Sequence, residues 1–387
     1  MSWPLIAIKD FCQTGSGGTP SRKVAEYYDG DIPWIKSGDL RENVVTKASE
    51  FITELAVKKS SAKLVPKGAI LLAMYGATVG RMAMLGIDAA TNQAVCAIMP
   101  DPNRANARYV YYALLNKVPE FLRSAVGGAQ PNISQGLIKD TKIPLPPLAE
   151  QKRIAAILDK ADALRRKRQQ AIDLADQFLR SVFLDMFGDP VTNPNKWQTK
   201  PIKDLARVVT GNTPSRQEPE NYGSSIEWIK SDNINTPDHY LTKAEEFLSD
   251  AGLKKGRSVP SGSVLITCIA GSPQCIGNAA IADREVSFNQ QINALVPEGE
   301  ATTEYLYSVA LFGKKLIQSI STNAMKGMVS KGNLEKLLVP APPLALQEKY
   351  SETFKDFLTK RKRQVCSLSQ SESLFLSLSQ QAFSGQL

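Results

Sequence analysis

Residues 147–187 read PLAEQKRIAAILDKADALRRKRQQAIDLADQFLRSVFLDMF, and this stretch decides the fold. Neither glycine nor proline occurs from Leu148 to Phe187, so the stretch predicts one helix of about 40 residues, roughly 60 Å long. Its apolar residues recur at helical spacing and form a coiled-coil-like stripe, which a basic run at 165–168 interrupts. The stripe comprises Ile154, Ile157, Leu158, Ala161, Leu164, Ile172, Ala175, Phe178, Leu179, Val182 and Phe183.

A narrow apolar stripe needs a partner that buries it, and residues 344–387 supply one. Both stretches follow a proline pair, carry a glutamine at the same place (Gln151 and Gln347) and contain a basic run, which in the second occupies 360–363. We therefore predict that the two helices pack on each other and hold apart the parts of the chain between them. The second stripe comprises Tyr350, Phe354, Phe357, Leu358, Val365, Leu368, Phe375, Leu378 and Phe383.

The chain is a duplication of one unit. All four tryptophans pair at an offset of 194, Trp3 with Trp197 and Trp34 with Trp228. Further matches occur in the same order, and the offset between matching positions changes slightly along the chain, as small insertions would cause. They relate 8–10 to 202–204, 19–22 to 213–216, 34–37 to 228–231, 46–48 to 242–244, 92–93 to 289–290, and Ser134 to Ser330. The repeat predicts two globular parts of one fold with two-fold pseudosymmetry, each followed by a long helix.

Each globular part has mixed α and β signals. In the first copy, residues 68–75, a second apolar run to Leu85 and residues 94–99 predict buried strands, and 109–126 predict a helix. Ser134 has the position of an N-cap before a short helix, which a strand at 142–145 follows. Residues 188–195 have the glycine, proline and asparagine content of a linker that ends the first long helix.

Composition indicates a chain of at least two domains with a basic surface. It has 387 residues, 47 Lys and Arg against 38 Asp and Glu, and a net charge of +9, which favours a polyanionic partner over an acidic substrate surface. No apolar run is long enough to span a membrane, and the N-terminus lacks a secretory pattern. The five cysteines are scattered without a CxxC pair, so we expect free, buried thiols in a reducing cytoplasm and no zinc site.

Catalytic motifs are missing from the sequence. The stretch TGSGGT at 14–19 superficially resembles a cofactor loop, but the second copy loses two of its three glycines, so we predict a turn. No phosphate-binding GxxxxGK[ST] loop occurs. His239, the single histidine, has no histidine counterpart in the first copy, and we predict a surface loop residue rather than a catalytic base. These absences favour a binding protein over an enzyme.

The motifs GTPSR, WIKSGDL, NQAV, IPLPPLAEQKRI and MFGDPVTNP resemble those of the specificity (S) subunit of type I restriction-modification systems. The resemblance extends over nearly the whole chain, because motif order, duplication and long helices all agree. It implies an α+β fold with two pseudo-symmetric mixed α/β target-recognition domains, separated by two long antiparallel helices that form a coiled coil. The implied bounds are 1–147 for the first domain, 148–187 for the first spacer helix, 188–196 for the linker, 197–343 for the second domain and 344–387 for the second spacer helix.

The resemblance also implies a role in host defence and a set of partners. Each domain would read one half of a bipartite site in double-stranded DNA. Two modification (methyltransferase) subunits would bring S-adenosylmethionine, and two restriction subunits would bring ATP-driven translocation and cleavage with Mg²⁺. The chain itself would be non-catalytic, would hold no cofactor or metal, and would act in the cytoplasm.

Residues that touch DNA are expected in two groups, because phosphate contacts position a protein and base contacts specify its site. Basic side chains are candidates for the backbone: Arg22, Lys36, Arg216, Lys230 and Lys331. Ser37, Ser231 and Lys326 are further candidates for DNA binding, with no choice between backbone and base. Amides and nearby loop residues are candidates for base reading: Tyr75, Thr78, Gln130, Asn132, Gln274 and Asn323. The repeated Asn-Gln pairs at 92–93 and 289–290 favour a structural role, because both copies share them.

The sequence leaves several alternatives open. Trp34 and Trp228 suit the core, which would either aim the following lysines outward or leave them in a solvated loop. The basic runs suit solvated helix faces, and also contacts with spacer DNA or with the modification subunits. For the whole chain, the alternatives are a self-sufficient DNA methyltransferase, which S-adenosylmethionine binding would reveal, and a scaffold whose complexes would bind DNA without salt dependence.

Overall fold

The computed structural model describes residues 3–41, 43–124, 132–236, 239–322 and 327–387. They form two compact units: unit 1 contains Met1–Gln169 and Cys366–Leu387, and unit 2 contains Gln170–Val365. Each unit therefore includes one globular part and one half of each long helix. The expected division into recognition domains, spacer helices and a linker is a statement about function and stays a prediction.

The two long helices span Leu148–Phe187 and Leu344–Ser384. Both begin after a proline pair, where a buried glutamine bonds the backbone. Gln151 Nε2 donates to the carbonyl oxygens of Pro146 (2.8 Å) and Arg104 (3.1 Å), and Gln347 makes the equivalent bonds in unit 2. These glutamines attach each helix start to its own globular part. The first helix ends as predicted at Gly188, whose φ of +80° favours glycine.

In unit 1 the two helices run antiparallel. Arg153 near the start of the first helix donates to the carbonyl of Leu387 (2.7 Å). Farther along, the guanidinium of Arg165 lies 5.2 Å from the ring of Phe375, and Arg168 donates to Ser371. Residue numbers thus rise on one helix while they fall on the other.

The same order holds in unit 2. Arg361 Nε donates to Asp176 Oδ1 (2.8 Å), and farther along the first helix the rings of Phe183 and Phe187 lie 5.6 and 5.4 Å from that of Tyr350. The predicted antiparallel packing of the long helices is therefore confirmed within each unit.

The globular part of unit 1 is built on two sheets. The first has the strand order Cys12–Ser16, Val95–Pro100, Ile70–Ala73, Met82–Leu85 and Val44–Val45. The second has the order Glu50–Ile52, Tyr28–Ile35, Ala89–Thr91 and Leu64–Val65, and a strand pair joins Leu5–Ala7 to Lys142–Pro144. The helices are Glu54–Lys59, Ala107–Ser124 and Gln135–Asp140. Ser134 caps the last of these as predicted, since its hydroxyl accepts from the Leu137 N–H (3.1 Å).

Unit 2 repeats this arrangement. Its sheets have the orders Ala206–Thr210, Ile292–Pro297, Val264–Thr267, Ala279–Ile281, and Phe247–Leu248, Tyr222–Ile229, Val286–Phe288, Ser258–Val259. Strand pairs join Thr199–Pro201 to Leu338–Pro340 and Ile269–Ala270 to Gly327–Met328. The helices are Asp250–Lys255, Thr303–Phe312, Lys314–Ser319 and Lys331–Lys336. The predicted α+β class and the duplication are confirmed.

The predicted helix stripe is wrong at several positions. Leu164 and Phe178 are 40 % and 59 % exposed, and Val365 is 42 % exposed, because they face away from the core that the two helices share. The basic runs are also not wholly solvated. Arg361 is 9 % exposed and is held by Asp176, while Arg168 bonds Ser367 and Ser371.

Two smaller predictions need correction. Residues 14–16 form no turn but belong to the strand Cys12–Ser16, which pairs with Val95–Pro100. The next residue, Gly17, has no room for a side chain, because a Cβ there would lie 2.0 Å from the carbonyl oxygen of Thr91. The thiols are free but not all buried, since Cys275 is half-buried and Cys366 is exposed on the second long helix.

Among the described residues, no helix combines the length and the apolar character that crossing a membrane requires. The described part of the chain also contains no group of three His, Cys, Asp or Glu side chains arranged to hold a metal ion.

Candidate nucleic-acid interface

Two cations share one carboxylate in unit 1, in a cluster that we call the shared cationic site. Arg22 Nη2 and Lys36 Nζ each lie 2.6 Å from an oxygen of Glu50. The guanidinium of Arg22 also stacks on aromatic rings, 4.4 Å from the centroid of Tyr28 and 5.5 Å from that of Trp34. Arg22 nevertheless keeps 58 % of its side chain exposed, so a ligand in solvent can reach it.

Unit 2 contains the same cluster. Arg216 Nη2 lies 2.7 Å from Glu246, which also pairs with Lys230. The guanidinium of Arg216 lies 4.9 Å from the ring of Tyr222 and 5.4 Å from that of Trp228, and its side chain is 59 % exposed. The two copies therefore present the same chemistry at equivalent places.

Strand pairing explains how these side chains meet. Trp34 lies opposite Glu50 in the antiparallel pair of Tyr28–Ile35 and Glu50–Ile52. Lys36 is two residues beyond Trp34, and residues two apart share a face of a strand, so its ammonium reaches the carboxylate. Trp34 is 2 % exposed, and its Nε1 donates to the carbonyl of Gly18 (3.1 Å), which fixes the platform under Arg22.

Electrostatics leave each shared cationic site with excess positive charge. The hydrogen bond from Lys36 holds the pKa of the Glu50 carboxyl below its ordinary value; Arg22 adds to this effect, and burial opposes it. Lys230 and Arg216 lower the pKa of Glu246 in the same way. Each glutamate is thus ionised at neutral pH, and one negative charge stands against two positive ones.

The structure brings together four predicted backbone-contacting residues, Arg22 with Lys36 and Arg216 with Lys230. Sequence reasoning missed the glutamates and tyrosines that organise them. A signal existed, because Tyr28 and Tyr222 follow the tryptophan offset of 194, and Glu50 and Glu246 follow the offset of the nearby matches at 46–48.

The two serines predicted beside the lysines begin short 3₁₀ helices, Ser37–Asp39 and Ser231–Asn233. Ser231 Oγ donates to Gln291 Oε1 at 3.3 Å. Lys36 and Lys230 directly precede these turns, and each is half-buried and ion-paired with a glutamate rather than held in a solvated loop.

The repeated Asn-Gln pairs support the backbone around the shared cationic sites. The Asn92 N–H donates to the carbonyl of Ile35, as does Asn289 to Ile229, at 3.0 Å in both units. Gln93 and Gln290 accept from the hydroxyls of Thr19 and Thr213. These contacts favour the structural role expected of a feature that both copies share.

One base-reading candidate of unit 2, Gln274, lines a groove of about 520 Å³, which we call the variable surface of unit 2. Gln274 is exposed there, and Gln318, Ser321, Thr322 and Gly327 line the same groove. The helix Lys314–Ser319 holds the loop, because Lys314 Nζ donates to the Gln274 carbonyl (2.5 Å) and Gln318 Nε2 to the Ile276 carbonyl (3.2 Å). Two amides and two hydroxyls line the groove beside Pro273, Ile276 and Gly327.

The equivalent region of unit 1, its variable surface, has different chemistry. Tyr75 and Thr78 are half-buried, and Asn132 is exposed. The Ile133 N–H donates to the carbonyl of Met74 (2.7 Å), so Asn132 and Tyr75 lie close together. A Cβ at Gly80 would touch Val118 and Leu122, whereas one at Gly277 in unit 2 would touch Lys314 and Ile317.

Some predicted residues lie apart or outside the described residues. Lys331 is 49 % exposed on the helix Lys331–Lys336, with its ammonium 3.5 Å from Glu335. Gln130, Asn323 and Lys326 lie outside the described residues.

His239 is not the surface residue that we predicted. It is 6 % exposed, its Nδ1 lies 2.9 Å from the Tyr307 hydroxyl, and its Nε2 lies 3.7 Å from Asp176 on the first long helix. By the repeat its counterpart is Asn43, which bonds Asp162 of the same helix. Each of these side chains joins a globular part to the first long helix through an aspartate. Because asparagine takes this place in unit 1, the role does not depend on the chemistry of an imidazole.

A family model described as the type I restriction modification DNA specificity domain matches residues 2–174 and again 194–365. A curated relative, the type I restriction enzyme MjaIX specificity subunit of Methanocaldococcus jannaschii, is 31 % identical over 236 residues. That alignment includes 56 % of this chain and 54 % of the relative, so the chain spans about half the length of this relative.

Solved structures share the fold. The S subunit of a type I restriction-modification system from M. genitalium aligns with a TM-score of 0.61 at 16 % identity, covering 99 % of this chain and 96 % of that one. A chain from a structure of complex assembly and conformational transition in the type I R-M system aligns with a TM-score of 0.56 at 15 % identity, covering 100 % and 98 %.

Proposed function

The chain belongs to the type I restriction modification DNA specificity family, and from this premise we propose that it is the non-catalytic subunit that gives such a complex its DNA sequence specificity. Each unit reads one half of a bipartite site in double-stranded DNA. Catalysis resides in the partner subunits, in the cytoplasm.

One contrast carries this proposal. The shared cationic sites have the same residues and ion pairs in both units, whereas the variable surfaces are formed by different residues. Phosphates are the same at every base pair, so identical sites suit the backbone. Bases differ, so unlike surfaces suit two different half-site sequences.

Partner subunits complete the proposed system. Two modification subunits bind S-adenosylmethionine and methylate adenine, and two restriction subunits use ATP and Mg²⁺. The long helices set the distance between the half-sites and provide the docking surface for the modification subunits. Exposed apolar residues on the helices support docking, because single-chain packing leaves them in water: Leu164, Leu174, Phe178, Val365, Leu374 and Leu376.

Phe178 and Leu374 occupy equivalent positions in the two long helices and are 59 % and 48 % exposed. Replacing both with alanine (F178A/L374A) is expected to weaken binding of the modification subunits at least tenfold, because each unit loses one exposed apolar side chain that the proposed docking uses. The dissociation constant of the modification subunit, measured by titration, tests this. L55A, at a residue that is 39 % exposed on a short helix, serves as control, and equal affinities for all variants would contradict the docking surface.

The function itself is tested by single-molecule methylome sequencing in a methylation-free host. The host expresses the modification subunit of the same system with this chain, and separately without it. We expect one bipartite adenine-methylation motif that appears only when the chain is present. An assembled complex that methylates no defined motif would contradict a specificity role and favour a scaffold.

A further inference from the structure

We propose that Glu50 and Glu246 are specificity-determining residues, which act as built-in counter-charges and keep the DNA backbone affinity of each shared cationic site low. The inference rests on the proposed function and deepens it. It concerns the affinity of the chain for DNA of any sequence, and thus the ratio of its target affinity to its non-target affinity.

The shared cationic sites fit phosphate better than bases. Each presents an arginine that is backed by two aromatic rings and is more than half exposed, beside a half-buried lysine. A guanidinium on a rigid platform matches a phosphate in geometry and charge. Both units keep this arrangement although their variable surfaces differ, as a sequence-independent ligand requires.

The glutamate reduces the charge that a phosphate meets. With Glu50 ionised, two cations and one anion leave the site with one excess positive charge. Without that anion the excess would be two. For a phosphate about 6 Å away in water, one additional unit charge changes affinity about threefold, and thus about tenfold over both units.

The orientation of each arginine depends less on the glutamate than on the aromatic rings beneath it. Arg22 would keep its stacking on Tyr28 and Trp34, and Arg216 would keep its contacts with Tyr222 and Trp228. Trp34 remains fixed through its bond to Gly18. Removing the carboxylate charge therefore strengthens phosphate binding, because the gain in attraction exceeds the small loss of order.

Weak binding of the DNA backbone increases the preference of the chain for target over non-target DNA. Phosphate binding adds affinity for every sequence equally, and a genome offers millions of competing non-target sites. Limiting each shared cationic site to one excess charge lets it set the register of the chain on DNA while base contacts decide where the complex stays.

The test uses the full chain assembled with its modification subunits and the double variant E50Q/E246Q, which changes charge with little change in shape. Affinity is measured at several salt concentrations for a duplex with the methylome-derived target and for one without it. We expect non-target affinity to rise about tenfold at low salt. The slope of log affinity against log salt should steepen by about one per site, and target preference should fall. Unchanged or weaker non-target binding would overturn the proposal.

Two controls separate local charge from net charge and from damage. E54Q/E218Q makes the same charge change in both units, at glutamates that pair with Lys58 and Lys255 outside the shared cationic sites, and should have a much smaller effect. An equal effect would show that net charge suffices and would overturn the inference. E50D/E246D keeps the charge and should keep the wild-type slope; a steeper slope in this variant would also overturn it.

Failure of this inference is distinguishable from failure of the proposed function. A wild-type complex that shows no preference for any methylated motif would refute the function, whatever the glutamate variants do. A wild-type complex that prefers its target, together with glutamate variants that bind like wild type, would refute this inference alone.

Discussion

Replacing Phe183 with alanine is expected to lower the free energy of unfolding of unit 2 by about 3–5 kcal/mol, the usual cost of removing a buried phenylalanine. Phe183 is 1 % exposed, and its ring lies 5.1 Å from those of Phe187 and Phe312 and 5.6 Å from that of Tyr350. The substitution would leave a cavity where the first long helix, the second long helix and the globular part meet. Thermal and urea unfolding of the chain measure this loss of stability. The melting temperature of the transition in which unit 2 unfolds should fall by about 10 °C.

The matched control is F178A, a change of the same chemistry on the same helix. Phe178 is 59 % exposed, so its loss should change the free energy of unfolding by less than about 0.5 kcal/mol. If both variants lost the same stability, or if F183A cost less than about 1 kcal/mol, the aromatic cluster would not be the core that we describe.

Lengthening both long helices by one heptad is expected to abolish methylation of the original motif and to create one with the same half-sites and a longer unspecified spacer. The insertions belong at equivalent places, after Ala171 and after Ser367. Seven helical residues add about 10 Å, which corresponds to about 3 base pairs of DNA. Methylome sequencing of the variant identifies its motif, and an unchanged motif would exclude the helices as the element that sets the spacing.

A heptad inserted after Ala171 alone provides the control. Each unit takes one half from each long helix, so an insertion in one helix has no counterpart in the other. Contacts such as Arg168 with Ser371 and Asp176 with Arg361 could then not all be kept. We expect this variant to lose stability and all methylation, whereas the matched insertion should stay folded and methylate the new motif with the longer spacer.

Local patterns were enough to predict the elements on which the fold is built. The uninterrupted helical periodicity predicted the helix that the structure shows at Leu148–Phe187, and Ser134 caps its short helix as its sequence position indicated. The repeat predicted two units of one α+β fold. These features depend on hydrogen bonding and side-chain periodicity within a short stretch, which a sequence displays directly.

Which face of each element is buried was harder to predict. The helix stripe suggested that Leu164 and Phe178 would be packed, yet both are exposed, because the second helix covers only part of the circumference. His239 looked like a loop residue, yet it is buried between Tyr307 and the first long helix. Both outcomes depend on neighbours distant in the chain.

For the candidate site, the sequence by itself determined that a basic, duplicated chain carries matching Arg and Lys residues at 22, 36, 216 and 230. Only the tertiary structure decided that a single glutamate would join each pair, because Glu50 reaches Arg22 and Lys36 through strand pairing across intervening chain. The same holds for the unlike variable surfaces, whose lining comes from segments far apart in sequence. Charge and periodicity are properties of neighbouring residues, whereas an ion pair or a groove exists only once the backbone has brought distant residues within a few ångströms.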